Sequence, residues 1–153
     1  MPIKIEKTLT LRTVGAELVV IPLHALRMDK ALTLHPTLQE TCLYDFPLAY
    51  SYYRQELDLK RLKRGDVLFY ERLGDCPVLM AILRGDIRRK FDLHAIIKCL
   101  KWMRDNDLHN RYTIAFPGIG CYESDRIDPK IVFRSVKRFL ADGSKTVHFV
   151  MNY

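Results

Sequence analysis

Apolar residues along this chain follow two different periods. Continuous runs rich in β-branched, aromatic and aliphatic residues fall at Glu17 to Pro22, Val67 to Glu71, Val78 to Leu83, Thr113 to Phe116 and Thr146 to Met151. The first, E-L-V-V-I-P, has no polar residue after its leading Glu, which predicts a strand covered on both faces and set inside a sheet. Between the runs, Phe46, Ala49, Tyr50, Tyr53 and Leu57 recur at helical spacing behind Asp45 as a candidate cap, predicting a helix over 46–57. Leu93, Ile96, Ile97, Leu100 and Met103 mark the apolar face of a second helix opened by Asp92. Asp128-Pro129 reads as a cap followed by the preferred first-turn proline. The helix it opens runs through Val132, Val136, Phe139 and Leu140 and closes near Gly143. His24 to Gln39 keeps no sustained period and offers only a short helix around Met28 to Leu34.

Strands alternating with helices predict an α/β fold of three layers, with a mixed, mostly parallel central sheet flanked by helices on both faces. The runs at 67 and 78 are joined by a short Gly74-Asp75 turn, so that pair is expected to be antiparallel. Without repeats or low-complexity linkers, 153 residues are expected to form one domain over 1–153, large enough to bury about two-thirds of the unfolded surface.

Composition narrows the function classes. No apolar run approaches the roughly 20 residues of a membrane span, and the N-terminus carries Glu6 without a continuous apolar core. A cytoplasmic protein without membrane contact is therefore expected. The four cysteines, Cys42, Cys76, Cys99 and Cys121, include no C-x-x-C pair, and His24, His35, His94, His109 and His148 show no spacing that would share a metal. No metal and no cofactor are expected, and only Cys121, in a glycine loop, is placed to touch a ligand. Neither a G-x-S-x-G elbow nor a G-x-x-x-x-G-K-[ST] loop occurs. The net charge of +7 favours anionic partners, and Lys60-Arg61, Lys63-Arg64 and Arg88-Arg89-Lys90 carry much of the excess. These basic loops are either solvated turns or a track for nucleic-acid phosphates. Tyr44, Tyr50, Tyr52 and Tyr53 are read as core packing rather than a stacking platform for bases.

The stretch with most chemical character is Tyr112 to Pro129, where an apolar strand enters a Pro/Gly turn, a carboxylate-bearing loop and a helix start. Ligands of open α/β sheets bind where such loops leave the carboxyl ends of strands. Backbone N–H groups of a Gly-containing turn can cradle a diphosphate because no Cβ blocks its approach. The alternative is that Gly118 and Gly120 only permit a tight strand-to-helix turn.

From about residue 45 onward the chain resembles the macro domain family, and within it the branch of ADP-ribosyl glycohydrolase antitoxins and terminal ADP-ribose glycohydrolases. The resemblance is carried by Phe46-Pro47-Leu48-Ala49-Tyr50, by Leu62-Lys63-Arg64-Gly65-Asp66-Val67, and by Leu79 to Leu83 with the basic loop Arg84 to Lys90. It closes with Ile114-Ala115-Phe116-Pro117-Gly118-Ile119-Gly120-Cys121. No one of these strings is diagnostic; their order and spacing over about two-thirds of the chain make the match moderately specific. The resemblance implies binding of ADP-ribose or of an ADP-ribosylated protein or nucleic acid. The implied ligand-binding residues are Arg27, Met28, Arg84, Pro117, Gly118, Ile119, Gly120, Cys121 and Tyr122, with Asp125 as the counterpart of the branch's catalytic aspartate.

Three departures bear on chemistry. Arg84 stands where the branch carries a nucleophilic lysine, and a guanidinium stays protonated, so glycohydrolase activity is left open. Arg27-Met28-Asp29-Lys30-Ala31 keeps Arg-Met of an R-M-G-x-G-like first loop but neither glycine, and Tyr122 replaces a small residue. The alternative function is a macro fold acting as a non-catalytic protein or nucleic-acid interaction module through loops 60–64 and 84–90.

Overall fold

A computed structural model describes residues 3–6, 15–24, 44–84, 93–118 and 128–150. Six strands, β1 (Ile3–Glu6), β2 (Leu18–His24), β3 (Val67–Tyr70), β4 (Val78–Arg84), β5 (Ile114–Pro117) and β6 (Val147–Val150), form one sheet in the order β1-β6-β5-β2-β4-β3. Every pairing is parallel except β3 with β4, where Val67 lies opposite Ala81 and Tyr70 opposite Val78. The helices are α1 (Pro47–Asp58), α2 (Leu93–Asp105), α3 (Leu108–Arg111) and α4 (Pro129–Leu140).

The doubly covered sheet explains the unbroken apolar runs. Leu18, Val20, Leu79, Ala81, Leu83, Ile114, Phe116, Val147 and Phe149 pack with α2, α3 and α4 on one face. Val19, Ile21, Leu23, Val78, Met80, Ile82, Ala115 and Val150 pack with Ala49, Tyr53 and Leu57 of α1 on the other. Successive side chains of each strand thus enter opposite cores. The α/β, mostly parallel architecture and the antiparallel pair are as the sequence pattern predicts.

Some expectations change in detail. The N-cap of α1 is Phe46 rather than Asp45, and no side chain caps it; Pro47 follows at the first helical position, where a missing N–H leaves one donor fewer to satisfy. Asp128 does cap α4, its Oδ1 accepting from the Lys130 N–H at 2.9 Å. Helix α4 closes near Gly143 as expected, with Ala141 as its C-cap and the Gly143 N–H bonded to the Leu140 carbonyl. Of the tyrosines expected in the core, Tyr53 is buried and Tyr50 and Tyr52 pack against the α1-side core, but Tyr44 is 74% exposed. The strand β1 and the short α3 have no counterpart in the sequence pattern. Asp92 and the segment Met28 to Leu34 lie outside the described residues.

Candidate functional site

The sheet order fixes where a crevice can open. From β2 the chain crosses to α1 on one face, whereas from its two neighbours, β4 and β5, it crosses to α2 and α4 on the other. Adjacent parallel strands whose connections leave to opposite sides create a topological switch point, and ligands of open α/β sheets occupy the gap beyond the carboxyl ends there. The strand ends that border it are Arg84 of β4, His24 of β2 and Pro117 of β5. His24 is in register with Arg84, after an irregularity between Leu23 and His24.

This places the origins of all the sequence-predicted site segments side by side. The segment bearing Arg27 and Met28 follows β2, Arg84 ends β4, and the loop bearing Ile119, Gly120, Cys121, Tyr122 and Asp125 follows β5. Arg27, Met28, Ile119 to Tyr122 and Asp125 lie outside the described residues, and of Arg84 only the backbone is described. The sequence pattern gives no histidine a chemical role, yet His24 ends the central strand of the switch point. The signal that marks it is positional, the terminus of the most apolar strand, rather than any motif.

Pro117 and Gly118 are fully described, and the contacts described for them are to the sheet. Pro117 is in register with Val150, and the buried Gly118 donates its N–H to the Val150 carbonyl at 2.6 Å. One of these residues has no N–H and the other has committed it to the sheet. An anion-binding turn here would draw its donors from the amides of residues 119–122 instead.

The L-K-R-G-D-V turn flanks the same edge of the sheet. Gly65 adopts φ +95°, a conformation that suits glycine, and donates to the Ile82 carbonyl at 2.7 Å, while the Ile82 N–H bonds the Asp66 carbonyl at 2.9 Å. The Asp66 carboxylate accepts from the Lys63 N–H at 2.9 Å. These bonds extend the β3–β4 ladder to the carboxyl end of β4 and seat the basic turn 60–64 beside it.

A separate cavity of about 180 Å³ opens at the opposite, amino edge, lined by Asp45, Phe46, Leu48, Tyr70, Asp75 and Cys76 among others. It touches none of the sequence-predicted site residues. The Cys76 thiol there donates to the Glu17 carbonyl at 3.4 Å, and burial pushes its pKa up; burial pushes that of Cys99 up to about 12. Neither is an activated nucleophile. Cys42 and Cys121 lie outside the described residues. Among the described residues no group of His, Cys, Asp and Glu side chains gathers to hold a metal ion, and no helix is long and apolar enough to cross a membrane.

No protein-family model matches the chain, and no curated protein matches it in sequence. Solved structures do match in fold. The macrodomain of Thermus aquaticus DarG superposes with a TM-score of 0.77 over 99% of this chain and 99% of that one, at 15% identity. Thermosipho africanus DarTG in complex with ADP-ribose gives a TM-score of 0.75 at 15% identity, over 94% of this chain and 40% of the longer one. The macrodomain of Mycobacterium tuberculosis DarG gives 0.70 at 16% identity, over 95% and 97%. With its six-stranded mixed sheet, its helices on both faces and its switch point at β2, the chain has the macrodomain fold.

Proposed function

We propose that the crevice beyond the ends of β4, β2 and β5 binds ADP-ribose, free or attached to a macromolecule. The observation that carries this reading is that β2, β4 and β5, the strands the Arg27, Arg84 and Gly120 segments follow or end, lie side by side, in a fold shared with a protein solved in complex with ADP-ribose. In this reading the amides of residues 119–122 hold the diphosphate, with Arg27 and Arg84 supplying positive charge. Tyr122 stacks on a ribose or the base, and Met28 and Cys121 line the wall.

Binding is favoured over hydrolysis because Arg84 ends β4 where an amine nucleophile would be needed, and a guanidinium does not lose its proton in proteins. Asp125 remains the one candidate for acid/base work on the distal ribose.

Titration calorimetry with ADP-ribose tests the reading. The expected result is saturable binding with a dissociation constant on the order of 1 µM, about −8 kcal/mol, abolished by Gly120→Glu. No heat at millimolar ligand would refute it and favour a macro fold serving as a non-catalytic interaction module. Release of ADP-ribose from modified protein or DNA, if seen, should stop in Asp125→Ala; an unchanged rate removes Asp125 from the chemistry.

A further inference from the structure

The two helical layers differ sharply in charge. On α1 the ionic residues are Arg54, Glu56 and Asp58, a mixed set. Opposite, the exposed positions of α4 are Lys130, Ile131, Arg134, Lys137 and Arg138, so every one but Ile131 is cationic, and α4 contains no acid. On α2 the exposed positions include Lys98, Lys101 and Arg104, with Asp105 the helix's one acid.

The two helices pack side by side over the same core, and Arg104 ties them together by donating to the Phe139 carbonyl at 2.8 Å and to Asp142. That pair leaves Lys101 of α2 and Lys130, Arg134, Lys137 and Arg138 of α4 as the exposed cations of the outer face, while Lys98 lies over Gly65 on the far flank of α2. Like charges held together on a folded surface repel one another, a cost that a multivalent anion offsets.

We propose that this α2/α4 face binds the phosphate backbone of duplex nucleic acid without reading its sequence. Its length suits a duplex, since a 12-residue helix is about 18 Å long and duplex DNA carries one charge per about 1.7 Å of axis, roughly ten over that span. A duplex is favoured over a single strand because, among the described residues, His94 is the one exposed ring on these two helices, and a single ring is no platform for stacking successive bases. Trp102, Phe133 and Phe139 pack against the core. An acidic protein is disfavoured because a stable protein interface needs buried apolar anchors, and Ile131 is the one large apolar side chain exposed on these two helices. The surface lies on the outer side of a helical layer, not in the crevice at the strand ends, so the inference stands independently of ADP-ribose binding.

Fluorescence anisotropy with a labelled 20-base-pair duplex tests it. With four or five phosphate contacts the affinity should fall about 150- to 500-fold between 50 and 200 mM salt, and a second duplex of unrelated sequence should bind equally. Arg134→Glu with Lys137→Glu should reduce the salt slope by about 2 and weaken binding severely. Lys101→Glu with Lys130→Glu, an independent pair, should do the same, and both variants should keep the wild-type circular dichroism and melting profile. ADP-ribose titration should be unchanged in either. No binding at 50 mM salt, binding indifferent to both pairs, or binding lost only in Lys60→Glu with Lys63→Glu would each overturn the proposal. So would capture of anionic phosphatidylserine vesicles, sensitive to the same charge reversals, in the absence of duplex binding.

Discussion

Gly143 provides a quantitative test of the packing at the amino edge. It does not have a positive φ, so its absence of a side chain answers to space rather than to backbone conformation. A Cβ built there would overlap the backbone carbonyl of His109, with the His109 carbonyl carbon and Cβ each at 2.9 Å. Real Cβ atoms do not approach that closely, and the obstacle is main chain of α3, itself held by the Lys145 N–H bonded to the same His109 carbonyl. Neither partner can swing aside as a flexible side chain would. Gly143→Ala should therefore cost about 1–3 kcal/mol, the range for overpacking a close contact. In a chain of this size that lowers the melting midpoint by about 2–12 °C. Gly65 is the control, because its φ of +95° poses the opposite problem and an added Cβ would meet only the Lys98 side chain. Asn tolerates left-handed conformations better than Ala, so Gly65→Asn should be milder than Gly65→Ala, whereas Gly143→Asn should be worse than Gly143→Ala. Urea denaturation of the four variants reads all of this. A Gly143→Ala protein within about 0.5 kcal/mol of wild type, the spread of ordinary surface substitutions, would refute the contact argument.

Two further outcomes follow from local geometry. Asp128→Ala removes the acceptor for the Lys130 N–H, and should cost about 1 kcal/mol and lower the melting midpoint by about 2–4 °C; Asp128→Ser should restore most of it. The bidentate hydrogen bonds from Arg104, at 2.7 and 2.8 Å, hold the Asp142 carboxyl below its ordinary value of 3.8. A depressed folded-state pKa contributes stability that is present above the unfolded value and lost as pH falls through the folded one. The urea midpoint of wild type should thus exceed that of Asp142→Asn at pH 6, and the gap should close as pH falls below the ordinary carboxylate range. A gap that persists at pH 2 would contradict this. The effect should be small, because the pair is exposed.

How much of this was legible in the sequence depended on whether the deciding interaction was local. Helix α2 could be read because its apolar face, Ile96, Leu100 and Met103, repeats within one segment. The cap at Asp128 could be read because donor and acceptor are two residues apart. By contrast, β1 is four residues, I-K-I-E, with Ile5 51% exposed, and it is a strand only through its pairing with β6 at the far end of the chain. Nothing within four residues announces a partner 144 positions away, from Ile3 to Val147. Likewise α3 follows Asp107, an N-cap in a left-handed conformation, φ 59°, and its four residues are too few to show a period of their own.

The candidate site divides along the same physical line. Motif positions that match the macro family and fall within the described residues are those the sheet itself needs. Gly65 supplies a positive φ, Asp66 holds the turn, Pro47 starts α1, and Gly118 extends the β5–β6 ladder. The departures from the family pattern, at Asp29, Ala31, Arg84 and Tyr122, come in the sequence at or after the ends of β2, β4 and β5. Strings of the first kind report the fold, because replacing them would strain the backbone or orphan a hydrogen bond. On the proposed reading, residues of the second kind report the chemistry of the ligand. On the proposed reading, a macrodomain fold kept through its turns and carrying Arg84 at the end of β4 suits the holding of an anionic ligand better than a reaction that needs an amine nucleophile.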